Sequence, residues 1–142
     1  MKMKFVKTLV ALAIGIGSLS TNAQAACSLS QIVGKWGVSG QGTDLSAGNI
    51  SYSFIGNFTF LANGTGTGSL SLSENGVVYP NIAHTINSTV IDPTSCKGTI
   101  SLTNAFGQSE TYTLLVLNGG LEISLMNNDG KHSGIATGKR TL

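Results

Sequence analysis

From Val33 onward, apolar and polar residues alternate with a period of two rather than 3.6. Trp36 and Val38 alternate with Lys35, Gly37 and Ser39, and Ile50, Tyr52 and Phe54 alternate with Ser51 and Ser53. The same phase resumes after Gly56 at Phe58 and Phe60. Leu70 and Leu72 stand among serines, Ile100 and Leu102 among Thr and Ser, and Tyr112, Leu114 and Val116 face away from Thr111 and Thr113. Leu121, Ile123 and Leu125 repeat the pattern against Glu122 and Ser124. One face is apolar and the other hydroxyl-rich, which is the signature of half-buried antiparallel strands. The pattern predicts about eight strands, near 33–39, 50–61, 65–73, 77–90, 96–104, 109–117, 120–126 and 132–140. Asn63-Gly64, Asn75-Gly76, Asn118-Gly119 and Asp129-Gly130 fall between them, and such dipeptides supply the positive φ of tight hairpin turns. Asp92-Pro93 and Phe106-Gly107 mark two further turns, and a Gly/Ser/Ala-rich loop is expected between Gly40 and Gly48. Pro80 confines its stretch of the fourth strand to an edge or a bulge.

Apart from one turn at Ser28 to Ile32, no amphipathic helix is available to cover the apolar face. The sheet must bury that face against itself, in a closed barrel or a β-sandwich. Consecutive short hairpins favour the all-β, antiparallel up-and-down barrel, with Gly56, Gly66 and Gly68 as its expected bends or bulges. An outer-membrane barrel would need longer strands and aromatic girdles in place of this Ser/Thr face.

The first residues change the charge picture. Lys2, Lys4 and Lys7 precede an apolar run, Phe5-Val6 and Leu9 to Ile16, and the segment closes on Ala23-Gln24-Ala25. This is the pattern of a cleaved secretory signal peptide over residues 1–25, and the run is too short to span ~30 Å of hydrocarbon. Residues 26–142 are then a single β-barrel domain, secreted or periplasmic. Of eight Lys and Arg, three lie in the leader; the five remaining against six Asp and Glu leave a net charge of −1. No basic patch survives to neutralise a nucleic-acid backbone. Cys27 and Cys96 are the only cysteines, and in an exported chain an even pair reads as one disulfide.

Gly34-Lys35-Trp36, at the start of the first strand after a helical turn, resembles the Gly-x-Trp of the calycin superfamily, the lipocalins and avidins. That resemblance implies a barrel whose Trp closes one end, with a basic residue of the last strand, here Arg140, packed over the ring. The stretch from Ala62 to Gly68 is similar to the second hairpin of avidin-type proteins, although those wall their ligand with several tryptophans and this chain has one. Cys96-Lys97-Gly98-Thr99 resembles the Cys-x-Gly-Thr of small exported bacterial proteins.

Candidate chemistry is sparse. The two histidines, His84 and His132, form no His-x-His spacing and no Cys-x-x-Cys exists, so no metal site or cofactor is expected. Strand phase turns His84 inward with Ile82 and Ile86, where a satisfied strand histidine is the simplest account. The six acids are scattered singly. Asp92 and Asp129 have turn roles, and Glu110, in phase with Tyr112 at the start of its strand, reads as a solvated rim carboxylate. No nucleophile elbow or phosphate loop occurs. Three functions fit. The first is a binding module holding a small apolar or amphipathic molecule against an inward set of Trp36, Tyr52, Phe54, Phe58, Phe60, Tyr112, Leu114 and Ile123. The second is a structural or interaction protein with a filled barrel. The third is a cofactor-free isomerase or cyclase on the same barrel, working through Tyr52, Tyr112, His84 or Glu110.

Overall fold

The computed structural model describes residues 26–127 and 129–141, so the leader expected over residues 1–25 lies outside the described residues. A short 3-10 turn, Leu29–Gln31, precedes eight strands: β1 (Gly34–Asp44), β2 (Ile50–Phe60), β3 (Gly66–Glu74), β4 (Val77–Ile91), β5 (Lys97–Asn104), β6 (Ser109–Leu117), β7 (Glu122–Asn127) and β8 (His132–Arg140). Each strand pairs antiparallel with its neighbours in the chain, and β1 pairs with β8. The sheet is therefore a closed up-and-down barrel, not a sandwich. Closure removes the free sheet edges that an antiparallel sheet otherwise exposes.

The turns follow their residues. Asn75 and Gly76 both take positive φ, 46° and 79°, in the two-residue connection between β3 and β4. That geometry matches the twist of the flanking strands. Asp92 accepts the Thr94 and Ser95 amides at 2.7 and 3.1 Å, and Asp129 accepts those of Lys131 and His132 at 2.8 and 2.9 Å.

Two expectations are corrected. Gly40–Asp44 is not loop but the second half of β1, paired with Phe54 to Ile50 on one side and Ala136 to His132 on the other. Two complete ladders outweigh the poor strand propensity of Gly40 and Gly42. No register shift falls at Gly56, Gly66 or Gly68, so these glycines are not bulges. The register shifts lie in β4, opposite Leu70/Leu72 and between Ile86 and Ser88. Pro80 falls in the first of these, where a missing N–H costs the ladder nothing.

One end of the barrel is sealed. Trp36, Ile86, Leu114 and Ile123 are fully buried there, together with Ile32 from the segment that crosses the opening. The Trp36 indole Nε1–H donates to the Ile32 carbonyl at 2.7 Å. Arg140, directly opposite Trp36 in the β1–β8 register, holds its guanidinium 5.2 Å from the indole centroid. It also donates to the carbonyls of Val33 (2.8 Å), Gly120 (3.1 Å) and Gln31, tying the 3-10 segment to the β6–β7 turn. Cys27 and Cys96 are joined by a disulfide at the same end, their Cα atoms 5.1 Å apart.

Candidate functional site

The strand phase that fills the sealed half with Ile, Leu, Val and Phe carries different residues at the other end. There the inward positions are Asp44, Tyr52, Glu74, His84, Asn104, Glu110, Tyr112 and His132, and they surround an open cavity of about 280 Å³. Phe54, Leu70, Leu72 and Ile82 form its apolar wall, and Tyr79 and Phe106 stand at its mouth, the latter 71% exposed. Deeper in the barrel, Phe58, Phe60, Ile100, Leu102, Ile123 and Leu125 leave a void of only about 20 Å³. A shallow depression of about 440 Å³ on the outer wall, over Thr59, Leu61, Thr67, Thr85 and Asn87, carries no titratable side chain.

Glycines make the room. A Cβ at Gly42 would lie 2.5 Å from the Tyr52 hydroxyl oxygen and 2.6 Å from the Ser133 carbonyl. One at Gly40 would lie 2.5 Å from the Phe54 ring, and Gly134 also abuts the Tyr52 hydroxyl at 3.0 Å. The tips of the two rings of β2, whose planes are near-parallel with centroids 6.3 Å apart, thus reach over a bare strip of β1 and β8 where any side chain would collide with them.

Polar groups converge on this space. The Tyr112 hydroxyl donates to Glu110 Oε2 at 2.7 Å, and the Asn104 amide approaches Glu110 Oε1 at 3.5 Å. His84 is 6% exposed, edge-on to Phe58, with Nδ1 2.9 Å from the Ile82 carbonyl oxygen. A carbonyl only accepts, so Nδ1 carries a proton and Nε2 is the ring nitrogen left for a further partner. Nε2 has no hydrogen-bond partner among the described residues. At the rim, His132 Nδ1 meets Asp129 at 2.9 Å, and its Nε2 lies 3.9 Å from Asp44.

The electrostatics are one-signed. Among the described residues, Asp44, Glu74 and Glu110 line the cavity and no Lys or Arg does. Burial, reinforced by the negative charges of Glu110, Asp129 and Asp44, pushes the Tyr52 phenol up to about 12. Burial and Glu110 raise Tyr112 still more, so both phenols stay protonated as donors. The Ser46 hydroxyl and the backbone N–H groups of Ser46 and Ala47 hold Asp44 below the ordinary carboxylate range against its partial desolvation. For Asp129, burial acts upward but is outweighed by the hydrogen bonds from His132 and Lys131, and the net direction is down. Among the described residues no group of three His, Cys, Asp or Glu side chains is arranged to hold a metal ion.

The inward set expected from sequence divides in two. Tyr52, Phe54 and Tyr112 line the open cavity, whereas Trp36, Phe58, Phe60, Leu114 and Ile123 are buried in the packed half. Glu110 is not a solvated rim carboxylate: it is half-buried and bonded inside the lumen, because strand phase carries it inward beside Tyr112. His84 is inward and buried, but only one of its nitrogens is satisfied. Asp44, Glu74 and Asn104 were not singled out. The strand assignment that would have placed Asp44 inward was masked by the glycines of β1, while Glu74 and Asn104 were already in phase with Leu72 and Leu102.

No family model matches this chain, and no curated protein matches it by sequence. Solved structures do match it. A redesigned β-barrel, mFAP1, solved bound to DFHBI, superposes with a TM-score of 0.58 at 12% identity, over 79% of this chain and 97% of its own. A de novo designed fluorescence-activating β-barrel gives a TM-score of 0.57 at 9% identity over 80% and 96%. A second redesigned barrel, mFAP0, also bound to DFHBI, gives 0.55 at 11% identity over 78% and 99%. At such identities the likeness is one of fold.

Proposed function

We propose that this protein is an exported binding module that holds a small apolar or amphipathic molecule in the open half of its barrel. The observation that carries this reading is the division of the interior: one half is packed to a void of about 20 Å³, and the other keeps about 280 Å³ open between aromatic rings and converging polar groups. That volume lies just below the range of about 300–1,000 Å³ usual for ligand pockets, which fits a compact ligand of one or two rings. Barrels of similar fold and size hold DFHBI, which supports the reading by analogy. Export is supported by the leader-like first 25 residues and by the disulfide, which persists in oxidising compartments. The Gly34-Lys35-Trp36 and Arg140 pairing at the sealed end supports a calycin-like lineage.

The test is titration with a neutral, environment-sensitive naphthalene dye. Saturable binding with a blue-shifted emission is expected, at micromolar Kd. Leu72→Trp, which fills the cavity wall, should abolish it while leaving the circular dichroism spectrum of the barrel intact. If no neutral, cationic or anionic aromatic probe saturates the protein below about 1 mM (a binding free energy near −4 kcal/mol), the reading is wrong.

A further inference from the structure

The chemistry of the lumen narrows the ligand class. We propose that the open half of the barrel takes a flat aromatic cation, a protonated amine or amidine carried on one or two rings, with its N–H groups directed at Glu110 and at His84 Nε2. This rests on the binding reading above and deepens it.

Four observations carry it. Among the described residues, the cavity is lined by three carboxylates, Asp44, Glu74 and Glu110, and by no Lys or Arg. The charges of the whole barrel are sorted the same way. Among the described residues, Asp44, Glu74, Glu110 and Asp129 lie at the open end with Lys131 as the only lysine or arginine there, whereas Lys35, Lys97, Lys139 and Arg140 outnumber Asp92 and Glu122 at the sealed end. A low-dielectric cleft lined by carboxylates focuses its field on the bound molecule; the Tyr52 phenol, raised first by burial and further by Glu110, Asp129 and Asp44, lies in that field.

Second, the lumen offers acceptors in excess. Glu110 spends one oxygen on the Tyr112 hydroxyl and has only a long contact from Asn104 on the other. His84, 94% buried as a residue, lines the same space, and its Nε2 has no hydrogen-bond partner among the described residues. A donor N–H on the ligand can pair with both Glu110 and this nitrogen, which an apolar group cannot. Third, the walls are flat. Tyr52 and Phe54 present near-parallel rings on one side, which suits stacking of an aromatic body and attraction of its charge to their faces. Fourth, the glycine strip behind these rings keeps that flat slot open.

The experiment uses the oxidised protein and three probes of equal ring size: 1-naphthylmethylammonium, 1-naphthylmethanol and 1-naphthoate, titrated by calorimetry at pH 7.5 and low salt. The ammonium is expected to bind at least tenfold more tightly than the alcohol, and the carboxylate more weakly than either. Glu110→Gln should cut the preference for the ammonium over the alcohol to within threefold, with the circular dichroism spectrum and the urea midpoint showing that the variant is folded. His84→Phe should weaken the ammonium at least threefold, and an unchanged ammonium affinity overturns the role given to His84. Equal or tighter binding of the alcohol or the carboxylate overturns the cation assignment and leaves the binding module standing. A preference that survives Glu110→Gln unchanged overturns the role given to Glu110. Failure of all three probes to bind below about 1 mM overturns the binding module itself.

Discussion

The two halves of this barrel are built from the same eight strands and do opposite things with their inward positions. At the sealed end the lumen is filled by large aliphatic and aromatic groups, crossed by the 3-10 segment, tied by the Arg140 guanidinium and closed by the disulfide. At the open end the inward residues are carboxylates, phenols, amides and imidazoles around empty space, with glycines where the rings need room. Close packing is concentrated at one end and polar groups around open space at the other, so the open half carries polar groups that a small core could not otherwise tolerate.

The largest effect that tests this division is truncation. Trp36→Ala removes a fully buried indole and is expected to cost about 3–5 kcal/mol in urea unfolding, while Tyr52→Ala at the open end costs less than half of that. Equal losses from the two variants would erase the comparison. The disulfide comes next. Its loop of 69 residues gives an entropic stabilisation of about 4 kcal/mol, so the Cys27→Ser/Cys96→Ser double variant should unfold at a much lower urea midpoint. Where that variant is still folded, its affinity for a neutral dye should stay within twofold of the parent, because the bridge lies at the far end from the cavity.

Gly42→Ala sharpens the boundary from the other side. The new methyl meets the Tyr52 hydroxyl at 2.5 Å and the Ser133 carbonyl at 2.6 Å, so both the ring and the strand must shift. A loss of about 1–3 kcal/mol is expected, together with at least a tenfold loss of dye affinity as the ring enters the lumen. A variant that loses stability and keeps its affinity would show that the glycine strip does not shape the cavity.

The smallest effect is a slope with pH. Tyr52 and Tyr112 have folded values above the unfolded phenol value of 10.0. Their contribution to stability is therefore complete below pH 10 and is lost as pH rises toward the folded values, Tyr52 releasing its proton at about 12. Urea midpoints measured from pH 8 to pH 11.5 should fall above about pH 10. Tyr112→Phe should flatten that fall, and a midpoint that declines equally in the variant would assign the slope to other groups.

Much of this architecture is written in the alternation of residues. Trp36, Phe58, Leu70, Leu102, Leu114 and Ile123 sit one phase apart from Ser, Thr and Asn, and that phase alone places them in the core. The turns at Asn75-Gly76 and Asn118-Gly119 announce themselves because both need positive φ. What could not be read locally is everything that depends on two strands at once. Gly40 and Gly42 look like loop until the rings of Phe54 and Tyr52 are laid across them from β2. Glu110 looks like a surface acid until Tyr112 and Asn104 close on it. The division into a filled and an open half is likewise a property of the closed barrel. Phe54 and Phe58 carry the same period in the sequence, and only their depth along the axis separates cavity wall from plug.

The placement of the aromatic residues also makes the protein its own two-channel spectrometer. The only tryptophan, Trp36, is sealed at the closed end, whereas all three tyrosines, Tyr52, Tyr79 and Tyr112, line the open cavity. Excitation of the indole reports on the scaffold, and ultraviolet difference spectra of the phenols report on occupancy. Folding and binding can thus be followed in the same cuvette, without a label and with little cross-talk between the two signals.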